Sequence, residues 1–120
     1  MLRFNFIFFQ VQHIFKDVDG TTYLLWKTDD NSVGSKTTRL WGQQIAIKSG
    51  SVSLLGTRKQ LMDSSGLWWV QSFIAGGSLI EGPELIHRGD YYYLFCECRP
   101  SLLHVALYVC YAVNYWTLLF

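Results

Sequence analysis

The chain has 120 residues, 50% hydrophobic and 17% aromatic, with ten Lys and Arg against nine Asp and Glu for a net charge of +1. That length bounds it to one modest domain, and the near-neutral, mixed charge lacks the basic footprint of a nucleic-acid binder. Cys96, Cys98, Cys110 and the scattered His13, His87 and His104 do not fall at zinc-ligand spacings, so no metal site and no cofactor is expected.

Residues 1–12, MLRFNFIFFQVQ, carry one charge, Arg3. They make a poor secretory leader, because the apolar run is short and no small-residue cleavage site follows. HIFKDVDGTTYLLWK, from His13, reads as strand, turn, strand. Asp19-Gly20 is a strong hairpin signal, since glycine takes positive φ at little cost, and Tyr23 to Trp26 favour strands. Residues 28–36 have the turn chemistry of a polar loop. Residues 37–48 return to strand, and 49–62 give a turn and another extended run. DSSG at 63–66 turns before Leu67, Trp68, Trp69 and Val70, and AGGS at 75–78 is a further break. SLIEGPELIHRGDYYYLF, from Ser78, then supplies two strands around a turn at His87 to Asp90.

No amphipathic helix is legible over residues 13–99, and turn signals recur about every ten residues. That rhythm predicts an all-β sandwich, barrel or propeller. Residues 100–120 contain no Asp, Glu, Lys or Arg. They are long and apolar enough for a membrane helix, although their tyrosines and β-branched residues also suit a strand. A membrane role through 101–120 is open but not favoured.

Two motifs invite chemistry. FKDVDGTT resembles the aspartate signature of haloacid-dehalogenase-type phosphatases, in which the first Asp attacks phosphorus. That signature needs a buried parallel strand, whereas Lys16 interrupts this one and TTYLLWK resumes as strand. A calcium loop fails on register, because the oxygen ligands after Asp19 do not fall at the required positions. The preferred reading makes Asp17 and Asp19 a solvated hairpin tip. The second motif is Glu81-Gly82-Pro83 ahead of Tyr91, Tyr92 and Tyr93. Glu81 is either an exposed loop glutamate or a catalytic acid in a sugar-binding cleft.

Taken together, HIFKDVDGTTYLLWK, RLWGQQI and IEGPELIHRGDYYYLF resemble, in order and spacing, glycoside hydrolase family 43. These are β-xylosidases, α-L-arabinofuranosidases and arabinanases, and the resemblance covers about residues 13–95. It implies a five-bladed β-propeller, of which this chain would be about one and a half blades. It also implies an inverting glycosidase acting on arabinose- or xylose-containing polysaccharide of the arabinoxylan or arabinan type, and an extracellular location. Inversion uses two carboxyl groups about 6.5–9.5 Å apart, so that a water fits beside the sugar.

The resemblance assigns Glu81 as general acid. A general acid must hold its proton at working pH, for which burial and a neighbouring carboxylate are the usual means. Trp26, Trp41, Trp68 and Tyr92 are candidate sugar-binding rings, with core packing as the competing role for each. The family's second-blade Asp, which orients the acid, is replaced by Val11, and no residue matches the general base. The resemblance stops at the flanks, 1–12 and 96–120, which are expected to lie outside the family's pattern. The expectation is therefore a partial propeller over 13–95 between two foreign flanks, inactive as a glycosidase by itself. The alternative is a non-catalytic sugar-binding or membrane-tethered remnant.

Overall fold

The computed structural model describes residues 10–29, 37–65, 80–101 and 104–113, with side chains over 13–28, 37–65 and 80–97. All regular structure there is strand: β1 (Gln10–Lys16), β2 (Thr22–Asp29), β3 (Thr38–Lys48), β4 (Ser51–Asp63), β5 (Ile80–Arg88), β6 (Tyr91–Ser101) and β7 (His104–Val113). The first four form one antiparallel sheet in sequential order, and the last three form a second. The parallel sheet that a haloacid-dehalogenase site needs is absent from the described residues. The strands expected around Trp68 lie outside them.

Local chemistry sets the turns. In the β1–β2 connection the Gly20 amide donates to the Asp17 carbonyl at 3.0 Å and the Asp17 amide to the Thr21 carbonyl at 2.8 Å. Gly20 closes this turn with φ +88°, a conformation that costs glycine little. Ser49 and Gly50 both have positive φ and join Lys48 to its partner Ser51, the pattern of a type I′ turn. Gly89, with φ +57°, is the first of two residues between the paired Arg88 and Tyr91, as a type II′ turn requires.

The two sheets pack face to face. Alternation along each strand sends one set of side chains into the seam. From the first sheet come Phe15, Tyr23, Leu25 and Leu40, and from the second Ile80, Leu85, Tyr92, Leu94 and Cys96, with Leu61 and Met62 packed against them. Leu25, Leu40, Ile80 and Leu94 are fully buried, each contributing about 1.5–3 kcal/mol by leaving water. Trp26 and Ile45 are also buried, outside this cluster. Trp26 alternates with Leu25 and Lys27, so it lies on the face of the first sheet turned away from the second.

β1 and β5, the first strand of each sheet, make the most extensive contact between the sheets. Two sequential meanders meeting along their first strands match two neighbouring propeller blades, whose sheets typically have four strands. The first sheet has all four, and the described residues give the second three. The strand content runs past the expected boundary at Phe95, which lies inside β6, and on through β7. No helix among the described residues is long and apolar enough to cross a membrane.

Candidate active site

Glu81 lies in β5, where the ladder to β6 slips. Glu81 pairs with Glu97 but Glu84 pairs with Phe95, so β5 carries one extra residue across Gly82-Pro83. The local sequence accounts for the slip. Gly82 takes φ +59°, which other residues adopt only with strain. Pro83 is fully buried and has no N–H to place in the ladder. A bulge re-aims the side chains beside it. Glu81 turns toward the first sheet, with its side chain 16% exposed.

There it meets Lys27. The Lys27 Nζ donates to Glu81 Oε2 at 3.0 Å, and the lysine side chain is only 1% exposed. Lysine is almost never fully buried without a partner. The pair joins β2 to β5 across 54 positions of sequence. Sequence reasoning missed Lys27. The signal available was its register with Tyr23 and Leu25, the alternate residues of β2 that face the seam.

A second polar cluster joins the sheets farther along. Asp17 is buried. Its Oδ1 accepts from the Val18 amide at 2.7 Å and from His87 Nδ1 at 2.8 Å, and its Oδ2 accepts from the Tyr92 hydroxyl at 2.8 Å. Burial pushes the Asp17 carboxyl up, but hydrogen bonds from Tyr92, Val18 and His87 outweigh it and hold the group below the usual aspartate range. Burial, and then the Asp17 carboxylate, push the Tyr92 phenol far above its ordinary range. Asp17 is thus not the solvated tip expected of it, because three donors replace its water. Asp19 is exposed and accepts from the Thr21 amide at 2.8 Å.

Three of the candidate sugar-binding rings, Trp26, Trp41 and Tyr92, fall among the described residues. Trp26 is 4% exposed and Tyr92 7%. Tyr92 stacks on the His87 ring at 4.0 Å between centroids and meets Phe15 edge-on. This burial agrees with core packing, the competing role for Trp26 and Tyr92. Trp41 is half-buried, donates its indole N–H to Thr28 Oγ1 at 2.9 Å, and carries the Arg58 guanidinium over its ring at 4.3 Å. Trp68 lies outside the described residues. The backbone of position 11 lies in a β1 bulge, between Gln10, which pairs with Lys27, and Gln12, which pairs with Trp26. Among the described residues no three His, Cys, Asp or Glu side chains converge to hold a metal ion.

Two antiparallel meanders thus meet at a seam where β5 carries Glu81 beside a Gly82-Pro83 bulge. The model of the glycosyl hydrolases family 43 matches residues 12–107. The chain belongs to that family, and the match reaches beyond Phe95 to take in all of β6 and the start of β7. Comparison with curated proteins and with solved structures returned no significant match.

Proposed function

We propose that this chain carries the acid-bearing part of an inverting glycosidase for arabinose- or xylose-containing polysaccharide. Glu81 is the carboxyl group that meets the glycosidic oxygen. The observation that supports this most is the Gly82-Pro83 bulge next to Glu81, beside which the Glu81 side chain reaches the seam between the sheets. A general acid has to be within hydrogen-bond reach of the oxygen it protonates, and a side chain 16% exposed keeps that access. The family is often extracellular, and a disulfide at Cys96 fits an oxidising compartment.

These 120 residues alone do not turn over substrate. Inversion needs a second carboxylate to activate water, and Val11 stands where the family places the orienting Asp. A second reading, a non-catalytic sugar-binding remnant, is favoured by one observation. The Lys27 ammonium engages the carboxylate that would have to donate a proton.

The test is an assay of the purified chain on aryl β-xylosides and aryl α-L-arabinofuranosides, with Glu81→Gln as control. The expected result is no hydrolysis above the control. Turnover that the substitution abolishes would overturn the inactivity and keep Glu81 as acid. Turnover that survives it would remove Glu81 from the mechanism.

A further inference from the structure

Three features of Lys27 converge. Its side chain is 1% exposed, with the ammonium 3.0 Å from Glu81 Oε2. It comes from β2, in the sheet opposite the one that carries Glu81. In register it sits across from the bulge at position 11, where the resemblance expects an orienting carboxylate and the chain has valine. A glutamate side chain at a half-open seam samples several rotamers unless a fixed partner holds it, and functional groups work only when their supporting contacts lock them. The buried ammonium is such a partner, itself confined by the packed seam around Leu25 and Leu40.

We propose that Lys27 is a positioning residue of Glu81, and that it orients the carboxylate from β2, the strand paired with β1 at position 11. The holding group is a cation that donates a hydrogen bond. The functional meaning rests on the reading of Glu81 as the sugar-facing carboxyl group, but the test uses no sugar.

The test is nuclear magnetic resonance on the full 120-residue chain labelled with nitrogen-15 and carbon-13. The wild type should show scalar coupling across the hydrogen bond between Lys27 Nζ and Glu81 Cδ. Its three-bond couplings should report one Glu81 rotamer. Lys27→Met, similar in length and uncharged, should abolish the first and average the second while the amide signals of β2 and β5 stay in place. Lys27→Arg should keep the single rotamer.

Absence of the coupling in the wild type overturns the proposal, as does a single Glu81 rotamer that persists in Lys27→Met. If Lys27→Met fails to fold, the wild-type coupling and the Arg variant decide it. In a separate sugar titration, failure to bind with these signals intact would overturn the functional reading and leave the positioning role standing.

Discussion

The Tyr92 hydroxyl donates to Asp17 Oδ2 at 2.8 Å, tying β6 of the second sheet to the hairpin turn of the first. His87, stacked on the Tyr92 ring, donates to the other oxygen of the same carboxylate. One aspartate in a turn therefore links the two sheets through two side chains.

Removing that aspartate leaves a buried phenol without its acceptor. Asp17→Ala should cost about 1–3 kcal/mol, the penalty for a buried polar group left unsatisfied. Tyr92→Phe should cost less, because Asp17 keeps its bonds to Val18 and His87. Urea denaturation with matched m-values checks both. Equal stability of Asp17→Ala and wild type would refute the link.

The pH dependence follows from the same group. Asp17 is held below the usual aspartate range, with burial opposed by donors from Tyr92, Val18 and His87. Asp63 is lowered too, first by the Ser65 hydroxyl, against the opposing effect of burial, with help from the Ser65 amide, Arg39 and Gln60. A carboxyl group depressed in the folded state contributes stability that is fully present above the unfolded value, about 3.9. That stability is lost as pH falls through the lower folded value. These two groups should thus leave stability flat from pH 7 to pH 5 and cause a decline below about pH 4. Asp17→Asn should make the decline shallower. An unchanged slope in that variant contradicts the assignment.

Gly82 supplies the bulge. An alanine Cβ there would meet Glu97 at 3.5 Å, an ordinary contact, but φ is +59°. The cost of Gly82→Ala should therefore come from the backbone, about 1–2 kcal/mol. Gly20, at φ +88° with open space around it, is the control. Its alanine variant should lose a comparable amount of stability without disturbing the Glu81 signals. Chemical denaturation and amide shifts of β5 separate the two effects.

Cys96 is fully buried and disulfide-bonded. Reduction should lower the unfolding free energy by about 2–4 kcal/mol, read as a drop in the urea midpoint with dithiothreitol. No change in the midpoint would show that the bond does not support the fold.

The turns were legible in the sequence because each rests on a local requirement. Gly20, Gly50 and Gly89 mark positions of positive φ, and Glu81-Gly82-Pro83 encodes a bulge in three residues. Lys27 and Asp17 were not legible as buried groups, because a charged residue defaults to solvent until a partner is known. Their partners lie 54 and 70 positions away, beyond any local pattern. Tyr92 was ambiguous for the opposite reason. An aromatic residue in a strand fits a sugar platform or a core equally well, and only the packing of the second sheet onto the first decides.

The reading of Glu81 as a sugar-facing carboxyl group is tested most directly by titrating the labelled chain with xylotriose and arabinotriose. If Glu81 faces sugar, Glu81 and its neighbours Lys27 and Glu97 should show saturable shifts with at least one of the two sugars, and a folded Glu81→Gln variant should lose them. No shift at these residues with either sugar, or shifts that the substitution leaves unchanged, would contradict it.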